Sequence, residues 1–471
     1  MSAGREAVRS RLLLLLPWAQ GLGMLLVLQF ALFGLLTLGQ AVPDRPVVEH
    51  LVAAVEDGTY GPIDTIDRMG TPADTFTECV VAGTGLGASP EESAFSRAVR
   101  MPRLATCGGG PEQLRAISEG AVLTDNDYFK YWAGYTVITR PVLALTGLEG
   151  LRIVSGTLML LAVAGAFLAV RAGTSTAVGL ALVLPYVVGT NLLSTPSTSF
   201  SQSISIAFIF LSVILSALGA ARSPRAACAG VALGGALFCF VDLLTTPAVP
   251  WAMSAFAVGA VTWFHRRELG ATLVAVLLAG AVWPAAFAVT WLARWVFAGA
   301  FLGFPATLEV VRRNVGNRTG GDHARVSEAF GAGARVNVSY WWQMVPTSGL
   351  VLTGCLLAAG VGLALALRRG GFARWGAAAV LALPAAAVPV WYTVLSNHSQ
   401  IHAFFVNRGV AAALAVVTAA CLAAAVRPRP GPGVPRSECS PDGTAQVPGE
   451  PGEAPGRSEP VPGLAPPAPR A

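Results

Sequence analysis

Charge is the scarcest property of this 471-residue chain. Only 12% of its residues are Asp, Glu, Lys or Arg, about half the roughly 25% of an ordinary soluble domain. Hydrophobic residues make up 54%, and mean hydropathy is +0.60. Together these exclude a soluble globular protein and a wholly disordered one. Lysine is nearly absent: Lys130 is the only one, so the other basic residues are arginine. With 52 glycines and abundant alanine, this is a GC-rich, bacterial coding bias. The net charge of +6 therefore gives no argument for a nucleic-acid partner, because arginines flanking membrane spans account for much of it. The seven cysteines show no CxxC and no metal-type spacing. There is no HExxH motif and no internal repeat.

Long uncharged runs are what the sequence has instead. A spanning helix needs about 20 mostly apolar residues. Ten runs qualify as candidates: 12–40, 151–170, 176–194, 202–221, 226–247, 250–264, 270–293, 346–367, 376–395 and 409–426. The expected fold is an all-α polytopic membrane protein. The short connections carrying Arg171, Arg222 with Arg225, Arg266 with Arg267, and Arg368, Arg369 and Arg374 fall on one side of such a topology. So do Arg5, Arg9 and Arg11 before the first run. By the positive-inside rule that side is cytoplasmic. The expectation is a multi-pass cell-membrane protein with both termini inside.

The organisation follows. Residues 1–42 hold the N-terminus and first span, and 43–150 form a long outer loop with short surface helices. Spans two to seven occupy 151–293, a second outer loop 294–345, and the last three spans 346–426. The Pro-, Gly- and Ser-rich tail, 427–471, cannot bury a core and reads as disordered. Cys79 and Cys107 are the two cysteines expected in an oxidising space, where a disulfide is plausible.

Four polar stretches stand out. The first is Asp64-Thr-Ile-Asp67 followed by Asp74-Thr-Phe-Thr-Glu78-Cys79. Asp74 and Glu78 are spaced i, i+4, so on a helix they share a face. Two such carboxylates repel unless a divalent cation, a shared proton or a basic partner sits between them. The pattern suits a metal or a general base, or else a solvated acidic turn. The second is Asp242, in Phe240-Val-Asp-Leu-Leu-Thr-Thr-Pro247. An acid in an apolar run is a functional candidate because burying its charge is costly; the alternative is local capping.

The third stretch is Asn397-His398-Ser-Gln-Ile-His402, continuing to Arg408. If helical, it puts His398, His402 and Arg408 towards one side. A His pair can bind metal or carry protons, and Arg408 could fork onto a phosphate. The fourth is Asp125-Asn-Asp-Tyr-Phe-Lys130-Tyr-Trp-Ala-Gly-Tyr135. It reads as a membrane-surface anchor rather than a substrate platform. The Tyr340-Trp341-Trp342 run reads the same way. The second loop carries Arg312, Arg313, Arg318, Arg325 and Arg335, either a solvated face or an attractor of lipid phosphate or anionic glycan.

In their order along the chain, DTFTEC (74–79), YFKYWAGY (128–135) with TRPVL (139–143), FVDLLTTP (240–247) and NHSQIHAFFVNR (397–408) resemble a group of bacterial multispan membrane proteins. These are similar to the C-type (GT-C) membrane glycosyltransferases. The resemblance spans roughly 60–425. It implies a GT-C-like helical bundle whose first outer loop carries a catalytic acid: Asp74, Glu78 or Asp67. It implies a polyprenyl-phosphate sugar as donor and an envelope glycan as acceptor. His398, His402 and Arg408 would hold the donor phosphate, with Asp242, Asn397 and Lys130 as further substrate contacts. Any divalent metal would sit on Asp74 and Glu78. The competing expectations are a transporter or lipid flippase, or a non-catalytic membrane scaffold.

Overall fold

The computed structural model describes residues 2–61, 75–124, 126–192, 200–319 and 326–426. Asp67 and Asp74, and the tail from 427, lie outside the described residues. Within them the chain is all-α, and the only strand-like contacts are isolated bridges, Thr84 with Arg103 and Pro102 with Asp127.

Five helices precede the main bundle: α1 (Ser2–Gln40), α2 (Asp44–Glu56), α3 (Thr75–Ala82), α4 (Ala94–Arg100) and α5 (Gly110–Ser118). The bundle continues with α6 (Thr136–Gly173), α7 (Thr176–Val188), α8 (Phe200–Arg222), α9 (Pro224–Val241), α10 (Ala248–Arg266) and α11 (Leu269–Leu302). Then come α12 (Phe304–Thr319), α13 (Ala332–Met344) and α14 (Ser348–Ala382). A short 3-10 turn leads to α15 (Ala387–Val394), α16 (Ser396–Ile401), α17 (Ala403–Val406) and α18 (Arg408–Ala425).

Seven of the described helical segments are long and apolar enough to cross a membrane. Their outward faces are apolar, as lipid requires: Leu158, Leu161 and Leu168 on α6 and Leu350, Leu357 and Val361 on α14 are exposed. The seven differ from the ten expected runs for identifiable reasons. The helix in run 176–194 is only 13 residues long, ending at Val188. Run 250–264 lies in α10, which at 19 residues is long enough but is diluted by Pro250, Trp251, Trp263 and His265, so it falls short on composition. Runs 346–367 and 376–395 belong to one segment, Ser348–Val394, bent where Gly370 and Gly371 leave helical angles.

Two loop boundaries also shift. The helix expected to start at 151 begins at Thr136 and is broken at Gly147, whose φ of 70° favours glycine. The helix expected to end at 293 runs to Leu302, because Arg294 is buried inside the protein and does not mark a solvent boundary.

The expected first outer loop is a packed layer. Arg140, 1% exposed, donates to the carbonyls of Gly39, Val42 and Gly85 and to Asp44, which Arg97 also pairs. Cys79 and Cys107 are joined by a disulfide with Cα atoms 5.3 Å apart. In the chain-entropy account a loop of this size gives roughly 3–4 kcal/mol.

Residues 128–135 correct the membrane-anchor reading. Phe129, Tyr131, Trp132, Ala133 and Tyr135 are buried inside the protein. Arg294 of α11 holds the segment by donating to the carbonyls of Phe129 and Tyr131, and also to those of Ala98 and Val99. The Trp132 indole donates to Thr290 O at 2.7 Å. An anchor facing lipid headgroups would leave these groups outside. The Tyr340-Trp341-Trp342 run divides: Trp342 is exposed, whereas Trp341 is buried and donates to Gly189 O.

Candidate functional site

Helix α9 stops at Val241 because the next residue turns the chain. Asp242 is its C-cap, and its carboxylate accepts from the Thr245 amide at 2.7 Å and from the Thr245 hydroxyl. The turn puts Leu244 at φ 67°, a conformation costing a non-glycine residue on the order of 1–3 kcal/mol. Its carbonyl meets His398 Nε2 at 2.7 Å. Two stretches far apart in sequence, 240–247 and 397–408, are thereby joined. The third joins through Gly134, whose amide donates to Phe240 O at 2.8 Å.

The 397–408 stretch is not one helix. It breaks at His402 and again before Arg408, so the expected common face of His398, His402 and Arg408 does not form. The two histidine rings still lie together, with centroids 4.7 Å apart. His402 also stacks on Phe405. Burial, then the nearby His402 and Arg318 charges, holds His398 well below the usual histidine range. His402 is pushed down to about 4 by burial, Arg318 and Lys130. Arg408 is turned to a different neighbour: its Nε and Nη2 donate to Asn191 Oδ1 at 3.1 and 2.7 Å. Asn397 is buried beside His398.

A cavity of about 250 Å³ lies alongside, with a largely apolar wall that includes Trp291, Trp295, Trp391 and Val315. Lys130 and Arg318 also line it, and among the described residues its lining includes no carboxylate. Leu244 forms part of the wall, so the Asp242 turn reaches the cavity. Tyr131 and Trp291 are shared with a much smaller cavity that touches Asp242. Arg318 donates to the Tyr131 hydroxyl at 2.5 Å. Lys130 packs over Tyr128, 4.9 Å from its ring centre. Its amine is pushed down to about 8, first by burial and then by Arg318 and Arg103.

Glu78 is elsewhere. It is 2% exposed and holds a two-pronged ion pair with Arg152 of α6, Nη2 to Oε1 at 2.5 Å and Nε to Oε2 at 3.1 Å. A basic partner thus answers the charge on this carboxylate. Among the described residues no three His, Cys, Asp or Glu side chains gather as a metal site.

The structure therefore brings together Asp242, His398, His402 and Lys130, and sets Glu78 and Arg408 on other partners. It adds Arg318 and the tryptophans. Arg318 was visible only as one of five arginines in a basic stretch. The tryptophans had a clearer signal: Trp283, Phe287, Trp291 and Trp295 repeat every four residues, an aromatic ladder on one helix face. No known protein family, curated protein or solved structure matches the chain.

Proposed function

We propose that this chain transfers a sugar from a polyprenyl-phosphate donor to an envelope glycan at the outer face of the cell membrane, on a GT-C-like bundle. The observation that carries the reading is the cavity: an aromatic, apolar wall meets Lys130 and Arg318, and no carboxylate is among the described residues that line it. That combination suits an anionic group on a hydrocarbon chain. The wall takes part of the isoprenoid by burying apolar surface, and the two cations neutralise the phosphate. As the sugar leaves, the same cations stabilise the negative charge that develops on the lipid phosphate. The acceptor hydroxyl loses its proton to a first-loop carboxylate, Asp74 or Asp67. Glu78, tied to Arg152, is the weaker candidate for that role.

The proposal includes ten crossings with both termini cytoplasmic. The Ser348–Val394 segment is 47 residues long, about 70 Å if straight, which exceeds twice the roughly 30 Å hydrocarbon core. Its Gly370–Gly371 bend makes it two passes. Helix α7 is short, but it starts near Gly173, which packs on Val261 late in α10. The chain beyond it reaches Asn191, which holds Arg408 at the start of α18. It therefore runs from one end of the bundle towards the other.

The test is a titration of the purified full-length protein in detergent with farnesyl phosphate and with farnesol, read by tryptophan fluorescence. Saturable quenching by farnesyl phosphate, weakened at least tenfold in Arg318→Ala, is expected. Absence of saturable binding, or equal binding of the uncharged alcohol, would overturn the reading. Turnover is then measured as release of polyprenyl phosphate from a labelled polyprenyl-phosphate sugar.

A further inference from the structure

We infer that Asp242 is a positioning residue: through the turn it braces, it fixes His398 as the tautomer protonated on Nε2, leaving Nδ1 as a hydrogen-bond acceptor. The argument is one of donors and acceptors. Both carboxylate oxygens of Asp242 are engaged by Thr245, one by its amide and the other by its hydroxyl. Those two bonds hold the four residues 242–245 in a closed turn. Inside it, Leu244 adopts φ 67°, which a leucine does not adopt readily on its own. The consequence of that backbone angle is the direction of the Leu244 carbonyl, which meets His398 Nε2 at 2.7 Å. A carbonyl oxygen only accepts. A contact of this length therefore requires the proton on Nε2.

The neutral ring has one N–H. With Nε2 donating to Leu244, Nδ1 carries a lone pair. His398 is 3% exposed and its ring lies against His402 and Phe405, 4.7 and 6.1 Å between centroids. In this state the ring offers a ligand an acceptor, suited to a hydroxyl hydrogen and not to a phosphate oxygen. Within the proposed reaction, phosphate binding then falls to Lys130 and Arg318, and His398 faces a hydroxyl-bearing group. The tautomer itself is independent of that reaction and is tested without substrate.

The experiment is nitrogen NMR on the full-length protein labelled at its five histidines, with His398 assigned by the loss of its signals in His398→Gln. The wild type is expected to show a single neutral His398 form protonated on Nε2. Asp242→Ala is expected to convert it into a mixture of tautomers. Leu244→Gly, which keeps the carbonyl and removes the backbone penalty, should retain the wild-type form. Thr245→Val deletes one of the two bracing bonds and should shift the population partway, which keeps the test available if Asp242→Ala does not fold. A wild-type ring protonated on Nδ1 overturns the inference. So does an unchanged tautomer in Asp242→Ala or, where that variant does not fold, in Thr245→Val. A merely structural Asp242 would lower stability and leave the tautomer where it was.

Discussion

Single side chains in this protein are governed by what their burial forces on them. Arg294 is the clearest case. It is 0% exposed and donates to four backbone carbonyls from two segments of the first loop. Arg294→Ala leaves those carbonyls without their donor, and each unsatisfied buried group costs about 1–3 kcal/mol. A large fall in the thermal unfolding midpoint in detergent is expected, with little recovery in Arg294→Lys, whose compact ammonium lacks the fork. Lys130 gives a pH signature. Its amine titrates at about 8 because burial disfavours the charged form, as do Arg318 and Arg103. A bound phosphate needs that charge. Affinity for farnesyl phosphate should therefore be highest below pH 8 and fall as pH rises from 7 to 9. Lys130→Arg, which stays charged, should flatten the curve. A wild-type affinity independent of pH over that range would remove Lys130 from the phosphate site.

At the level of elements, the decisive contacts are those that dock the first-loop segment 128–135 onto the turn after α9. Gly134 lies so close to Phe240 that an added Cβ would overlap its ring. Gly134→Ala is expected to destabilise the protein by about 1–3 kcal/mol, the usual cost of overpacking. Phe240→Leu should relieve part of that cost, a coupling that a double-mutant cycle on unfolding midpoints measures. Additive effects would show that the two elements do not depend on each other there.

The helical membrane fold was legible because lipid imposes a long, uncharged pattern on every exposed segment. The polar motifs were legible as residues but not as partners. Asp242 stood out by its isolation, yet nothing local announced that its carboxylate would brace Leu244 against His398. The segment around Lys130 was misread because aromatic rings suit a membrane surface and a protein interior equally; only the position of Arg294 on a distant helix decides between them. Arg408 shows the limit of spacing arguments, since two breaks in the helix sent its guanidinium to Asn191.

For the molecule as a whole, two sets of contacts identify its two ends. Arg408 at the start of α18 bonds Asn191, beyond α7. At the other end of α18, Arg369, Arg374 and Arg267 donate to the carbonyls of Ala424, Ala425 and Val426. Cations there complement the negative end of the helix and are the arginines the positive-inside rule would place in the cytoplasm. The proposed ten crossings make this arrangement testable, because α7 decides the parity. If α7 crosses, Ser223 lies on the same side as the N-terminus; if it does not, Ser223 lies on the opposite side. Cysteines introduced at Ser223 and Thr347, in a variant lacking the four free thiols Cys228, Cys239, Cys355 and Cys421 and also Cys439, can be probed in intact cells with an impermeant maleimide. Thr347→Cys should label and Ser223→Cys should label only after the cells are opened. Labelling of Ser223→Cys from outside, with Thr347→Cys silent, would remove α7 from the crossings or invert the whole orientation, and in either case would withdraw the outer-face site. Labelling of neither position in intact cells would mean that α9, α10 and α11 do not all cross, and it would remove Thr347 from the outer face. It would then withdraw the outer-face site, because the cavity and the Asp242–His398 contact lie at the Asn191–Arg408 end of the bundle.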